Sequence, residues 1–175
     1  MKRKNILITG GAGYIGSHTV IELYNSGYRP IIVDNFSNSS IKNIEGIEQI
    51  IKDKVAFYKF DCTDINQMNQ LFKLENNIEA VIHFAAFKAV EESVREPKKY
   101  YDNNIGSLNI ILSMMKKYEL DNIVFSSSAC VYGIPEILPV SELAPFKKAE
   151  SPYGETKQLC EKLIDGADIN SISLR

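Results

Sequence analysis

The stretch Ile6-Leu7-Ile8-Thr9-Gly10-Gly11-Ala12-Gly13-Tyr14-Ile15-Gly16 runs a short apolar segment straight into a glycine cluster, and a helical pattern follows. Gly10, Gly13 and Gly16 form GxxGxxG, and Gly11, Gly13 and Gly16 also satisfy GxGxxG. A strand that turns tightly into a helix needs glycine at the turn, and so does backbone that approaches a pyrophosphate. The third glycine lets helix and strand pack closely. The helix N-terminus adds free N–H groups and partial positive charge for phosphate oxygens. A glycine motif alone is weak evidence. This one follows a strand and opens a helix, which favours a dinucleotide site over a purely structural turn.

Outward from this turn, short β-branched runs alternate with helical patterns. Strands are expected at Asn5–Thr9, Pro30–Asp34, Val55–Phe60, Ala80–Phe84, Asn122–Ser126 and Ser171–Leu174. Helices are expected at Tyr14–Ser26, Ile41–Lys52, Ile65–Leu74, Pro97–Tyr118 and Pro152–Ile164. The alternation predicts βαβ units and a parallel sheet, with apolar strands covered on both faces. Right-handed crossovers make this an α/β doubly wound, Rossmann-like domain over residues 1–175. Gly27 suits a helix C-cap, and Ser151-Pro152 reads as an N-cap followed by proline at the first helical position. Gly133 to Pro152 holds Pro135, Pro139, Pro145 and Pro152, and reads as a long loop of the kind that carries function. The chain stops at Arg175 directly after a strand pattern, so it is expected to be a fragment cut after the sixth strand.

Composition excludes several classes. Hydrophobic residues make up 45% and charged residues 24% of the 175 positions, and the net charge is −2. Neither nucleic acid nor an anionic membrane surface is expected as a partner. No apolar run is long enough to span a bilayer, and the basic start Met1-Lys2-Arg3-Lys4 lacks the apolar core of a secretory signal. Cys62, Cys130 and Cys160 form no CxxC pair or disulfide framework, so a reduced, cytoplasmic setting is the default. No His/Cys/Asp cluster has metal spacing, and no metal is expected.

The chemistry concentrates at strand ends. Asp34 lies 18 residues after Gly16, near the offset of an acidic ribose ligand. A carboxylate there can accept both adenosine ribose hydroxyls and repels a 2′-phosphate, which favours NAD over NADP. A solvated strand-end Asp is the competing reading. Asn35, Phe36, Ser37, Asn38 and Ser39 follow on the same loop. Asp61 and Cys62 end the third strand, where Asp61 could accept an adenine amino group. A plain loop Asp is the alternative.

Tyr153-Gly154-Glu155-Thr156-Lys157 gives YxxxK near a helix start, and residues i and i+4 share a helix face. An ammonium near a phenol lowers its pKa, which would make Tyr153 a usable base. Ser128 lies 25 residues before Tyr153 at the end of the fifth strand. Its hydroxyl both donates and accepts and can relay a sugar proton. The alternative for this serine cluster is a strand-end turn. His83 reads as a packed, hydrogen-bonded histidine rather than a base, and His18 as a packing or solvated one.

These residues together resemble the extended short-chain dehydrogenase/reductases. The strings GGAGYIGSHT, VDNFSNSS, HFAAFKAVEESVREP, YYDNNIGSLNI, FSSSACVYG and SPYGETK, spread over almost the whole chain, resemble the UDP-glucose 4-epimerase family in particular. The resemblance implies NAD contacts from Tyr14 and Ile15 at the pyrophosphate and from Asp34 through Ser39 at the adenosine ribose. It assigns Asp61 and Cys62 to the adenine, and Phe84, Ala85, Ala86, Phe87, Lys88 and Asn103 to positions along the cofactor. Ser128, Tyr153 and Lys157 match the catalytic positions, and Tyr153 and Lys157 also touch the nicotinamide side.

The implied activity is interconversion of UDP-glucose and UDP-galactose by transient oxidation at sugar C4. The family's smaller lobe, which grips the UDP-sugar, would lie beyond Arg175. The chain alone is therefore expected to have little or no epimerase activity. The resemblance also implies a homodimer through the 97–118 and 152–164 helices. The apolar residues Tyr100, Tyr101, Ile105, Leu108, Ile111, Leu112 and Met115 exceed what one covered helix face needs, in keeping with such a dimer. The rivals are a nucleotide-sugar 4,6-dehydratase and a non-catalytic NAD-binding module. Dehydratases place acidic residues directly after the strand-end serine or threonine, where this chain has Ala129-Cys130. The intact Ser128, Tyr153 and Lys157 speak against the non-catalytic module.

Overall fold

The computed structural model describes residues 3–175. Six parallel strands form one sheet: β1 (Asn5–Thr9), β2 (Arg29–Val33), β3 (Ala56–Tyr58), β4 (Ile78–His83), β5 (Asn122–Ser126) and β6 (Asn170–Leu174). Their order is β3-β2-β1-β4-β5-β6. The sheet is therefore doubly wound, with its topological switch between β1 and β4, and ligands of such sheets bind at the carboxyl ends beside that switch.

The period-two alternation of β1 explains why both faces are covered. Ile6 and Ile8 point to one face with Ile32, where α1 (Tyr14–Asn25) and α2 (Ile41–Ile51) contribute Val20, Ile44 and Ile47. Leu7 points to the other with Ile31, Val33, Val81, Ile123 and Phe125. There α3 (Ile65–Leu74), α6 (Gly106–Lys117) and α7 (Pro152–Asp165) supply Met68, Leu71, Leu108, Ile111, Met115, Cys160 and Ile164. At the β6 edge the two-sided cover fails: Ile172 and Leu174 stay 59% and 52% exposed.

Strand and helix ends fall within about two residues of the expected ones, β3 being shorter. The stretch expected as one helix over 97–118 is different. It is α5 (Pro97–Tyr100), one turn of π-helix over Tyr101–Ile105, then α6. A preceding short helix, α4 (Val90–Arg95), was not expected. Its Val90 and Val94 both face solvent, so it has no buried apolar stripe to read. It is held instead by Tyr100, whose hydroxyl shares its one proton between the Ala89 carbonyl (2.8 Å) and Glu92 Oε2 (2.7 Å). Of the apolar surplus of the 97–118 stretch, Tyr100, Leu108, Ile111 and Met115 are fully buried inside the chain, while Tyr101, Ile105 and Leu112 stay partly exposed.

The loop from Gly133 to Ser151 contains no strand or helix. It is pinned by Gln158 Nε2, which donates to the Lys147 carbonyl (2.7 Å), and by Arg175 Nη1, which donates to the Glu142 carbonyl (3.0 Å).

The β1–α1 turn shows where glycine is required. Gly10 has φ +66°, and a Cβ there would sit 2.8 Å from the Ala85 nitrogen; at Gly16 it would sit 2.3 Å from the Gly10 carbonyl oxygen. At Gly46, inside α2, a Cβ would meet nothing within 4 Å. Gly16→Ala is expected to destabilise the fold by roughly 3 kcal/mol, the upper end of ordinary overpacking. Gly46→Ala should stabilise it by about 0.5–1 kcal/mol through helix propensity. Urea titration of both variants checks the pair, and equal effects would refute this reading of the turn.

Candidate active site

The carboxyl ends of β1, β2, β4 and β5 open onto a cleft of about 350 Å³. Its wall begins at the glycine turn with Gly10, Gly13, Tyr14, Ile15 and Gly16. The helices α2, α3 and α7 have side-chain caps from Ser40, Asp64 and Ser151. The N-terminus of α1 has no side-chain cap and no acidic residue in its first turn. Its N–H groups and dipole therefore face the cleft without a competing side-chain acceptor. At Gly13 a Cβ would meet only the Gly10 carbonyl, so the absent side chain leaves open space over the turn.

Asp34 ends β2 and is buried. Its Oδ2 accepts from the Ala12 amide (3.1 Å), and its Oδ1 from the Phe36 amide (2.9 Å) and the Ser39 hydroxyl (2.8 Å). One carboxylate thus ties the glycine turn to the 35–39 loop. Asn35 Nδ2 donates to Asp61 Oδ2 (2.9 Å), joining that loop to the end of β3. Burial raises the Asp61 pKa, but hydrogen bonds from Thr63 and Asn35 outweigh it and hold the carboxyl below its ordinary value. Burial pushes the Cys62 thiol far up, so it lines the wall as an inert thiol.

The opposite wall is Phe84, Ala85, Ala86, Phe87 and Lys88, with Asn103. It is fixed from behind by Asn104, which the π turn buries. Asn104 Oδ1 accepts from the Phe87 amide (2.8 Å), and Nδ2 donates to the Phe87 carbonyl (3.0 Å) and to Thr156 Oγ1 (3.2 Å). Thr9 Oγ1 accepts from the Ala85 amide (3.2 Å).

Tyr153 and Lys157 lie on one face of α7, one turn apart, and both line the cleft. Ser151 caps this helix through the Gly154 amide (3.2 Å), and Pro152 opens it. Burial pushes the Tyr153 phenol above its ordinary value, and the nearby Ser128 hydroxyl works in the other direction. Lys157 Nζ donates to the Ser126 carbonyl (2.6 Å) and stands 5.9 Å from the Tyr153 ring centroid. Burial pulls the ammonium down to about 8, while Cys160 and Glu161 raise it. The Lys157 ammonium is thus directed at a backbone carbonyl, and its expected influence on the phenol can act only through space.

All the expected cofactor positions meet in this cleft except Phe36. Its backbone takes φ +59°, and its ring turns away to pack on Phe57 at 6.0 Å between centroids. Ser128 lies just off the wall: its Oγ accepts from the Cys130 amide (3.2 Å), capping a 3₁₀ turn over Ala129–Tyr132. The reading of that serine as a strand-end turn former is thus realised. Phe60, Ser107, Ser126 and Ser127 also line the cleft. Ser126 and Ser127 lay in the quoted serine cluster; no sequence signal marked Phe60 or Ser107. Among the described residues no cluster of His, Cys, Asp and Glu is placed to hold a metal, and no helix is long and apolar enough to cross a membrane.

A doubly wound sheet with a glycine turn at its switch and a Tyr–Lys pair across the cleft is a Rossmann-like fold of the short-chain dehydrogenase/reductase type. A family model described as GDP-mannose 4,6 dehydratase matches residues 7–167, and the chain belongs to that family. It is 50% identical over 159 residues to the UDP-glucose 4-epimerase of Bacillus subtilis, covering 91% of this chain and 46% of that protein. Among solved structures, the UDP-glucose 4-epimerase of Bifidobacterium longum in complex with NAD+ and UDP matches with a TM-score of 0.94. It is 44% identical, over 98% of this chain and 52% of that one. The enzyme from Stenotrophomonas maltophila, with bound NAD and formylated UDP-arabinopyranose, matches at 0.93 and 40% identity, over 99% of this chain and 52% of that one. The chain spans about half the length of the curated relatives it matches.

His83 is buried, as expected of a packed histidine. Its Nδ1 bonds Thr9 Oγ1 (2.8 Å), and burial, then the Lys157 charge, pushes it down to about 3. In the native state it binds no proton near pH 5, whereas an unfolded histidine, ordinarily near 6.5, does. Acid therefore favours unfolding. His83 alone should cost about 2 kcal/mol of stability between pH 7 and pH 5. Urea titrations at both pH values should show that share missing in His83→Gln; an unchanged slope would refute it.

Proposed function

We propose that the chain is the NAD-binding, catalytic half of a nucleotide-sugar 4-epimerase acting on UDP-glucose and UDP-galactose. The observation that carries the reading is the meeting, in one cleft, of an uncapped helix N-terminus, the Asp34 carboxylate and the Tyr153–Lys157 pair. The residues present fit the cofactor. The open space over Gly13 and the first turn of α1 would take a pyrophosphate. Asp34, Asn35 and Ser37 would face the adenosine ribose, with Asp61 and Cys62 beside the base. Lys157, Asn103 and Phe84 to Lys88 would line the nicotinamide half. When bound, NAD would accept a hydride from sugar C4 and return it to the opposite face.

The chain's own side chains would then handle the proton. After loss of its own proton, the Tyr153 phenolate would take the proton of the sugar 4-hydroxyl and return to the neutral phenol, and the nearby Ser128 hydroxyl would steady the negative charge of the phenolate beforehand. The neighbouring Lys157 ammonium favours that charge through space. The dehydratase reading, which the family's description raises, would need an acid–base pair for eliminating water. The two positions after Ser128 are Ala129 and Cys130, neither a carboxylic acid. The homodimer through α5–α6 and α7 and the cytoplasmic setting belong to the same proposal; light scattering that finds only monomer would overturn the former.

Denaturing the purified chain should release NAD, identified by mass spectrometry. NADP would refute the reading of Asp34, and no nucleotide would refute cofactor retention by this chain. Because the relatives are about twice as long, these residues alone are expected to turn over UDP-galactose slowly or not at all. In a chain of the relatives' full length, Tyr153→Phe should lower kcat by at least about 100-fold. A variant that keeps full turnover would exclude Tyr153 as the base.

A further inference from the structure

The helix face that carries Tyr153 and Lys157 continues one turn further to Glu161, whose carboxylate is only 2% exposed. Ser127 Oγ donates to Glu161 Oε1. Arg175, at the end of β6, donates from Nη2 to Oε2 (2.6 Å) and from Nε to Oε1 (3.0 Å). Lys157 meanwhile donates to the carbonyl of Ser126, the residue before Ser127. Two consecutive residues at the end of β5 are therefore gripped by two successive turns of α7, one through a carbonyl and one through a hydroxyl.

A buried ammonium needs a nearby opposite charge to remain ionised. Among the described groups around Lys157, His83 on β4 is neutral, Tyr153 and Cys160 on α7 are protonated at neutral pH, and Arg175 is cationic. Glu161, one helical turn further along the same buried face, is the carboxylate placed to act on it through space; its contact ion pair is with Arg175.

We propose that Glu161 is a positioning residue for Lys157: its buried carboxylate is the counter-charge that keeps the ammonium ionised and seated on the end of β5. Its place in an epimerase rests on the function proposed above. The electrostatic role does not, and it is read on the ligand-free chain. Failure of the chain to bind NAD would count against the function and leave the measurement below intact.

The test follows the Lys157 titration by NMR in carbon-13-labelled lysine, with the signal assigned by its loss in Lys157→Met. Glu161→Gln keeps the shape and removes the charge. It should lower the Lys157 midpoint by about one unit, the scale of a nearby opposite charge. Arg175→Gln removes the competing cation and should raise it. If Glu161 merely holds Arg175 and β6 in place, the two variants would act alike. Shifts of the same sign, or no shift in Glu161→Gln, would overturn the proposal. Should Glu161→Gln alone fail to fold, the Glu161→Gln/Arg175→Gln double variant, which removes both members of that ion pair together, is compared with Arg175→Gln. The same downward shift supports the role, and equal midpoints refute it.

Discussion

The site depends first on a contact between backbones, with no side chain between them. Gly10 turns the chain through a left-handed φ directly beneath Ala85, and Gly16 brings α1 onto the Gly10 carbonyl. Any Cβ at either position would separate β1 from the segment after β4 or lift α1 off the turn. Because β1 and β4 flank the switch point, that separation would open the floor of the cleft itself. Asp34 and Asn104 then act as ties. One fastens the β2 loop to the turn through Ala12, and the other fastens the β4 loop to α7 through Thr156. The two walls are thus hung from the same glycine turn.

This arrangement explains why α7, which carries Tyr153 and Lys157, can be placed so accurately at its N-terminal end. Ser151 and Pro152 fix where α7 starts, and the register of a helix then fixes every later residue. Tyr153 sits in the first turn, beside the end of β5, and Lys157 comes one turn later, where only a main-chain carbonyl is in reach. The burial that brings the pair together also works against both charged forms. An ionised phenol here needs support, and the Ser128 hydroxyl lies near enough to lower the phenol's pKa against that burial.

The sequence made legible what local chemistry dictates. The glycine spacing, the strand-end acids, the cap at Ser151 and the YxxxK period each require only a few neighbouring residues, and all the strands lie where the patterns put them. What escaped depends on tertiary neighbours. The π turn at Tyr101–Ile105 exists because Asn104 is drawn inward to Phe87 and Thr156, partners 17 and 52 residues away. Phe36 looked like part of a polar loop until the second core offered its ring a packing partner. Ser107 faces the cleft only because that π turn sets the phase of α6. Part of the apolar excess of the 97–118 stretch goes into the chain's own core, because helices packed among other helices bury more than one stripe.

The distribution of charge along the cleft gives it a direction. Asp34 and Asp61 stand at one end, the uncapped N-terminus of α1 in the middle, and Lys88 and Lys157 at the other. A ligand with hydroxyls at one end and phosphates at its centre is attracted in one orientation and repelled in the reverse one, which would set a phosphate against two carboxylates. Because Asp34 and Asp61 already bind loop N–H and hydroxyl groups, they cannot swing away to relieve that repulsion. Orientation is therefore built into the sheet edge, and the end of such a ligand opposite the two carboxylates lies toward Tyr153 and Lys157.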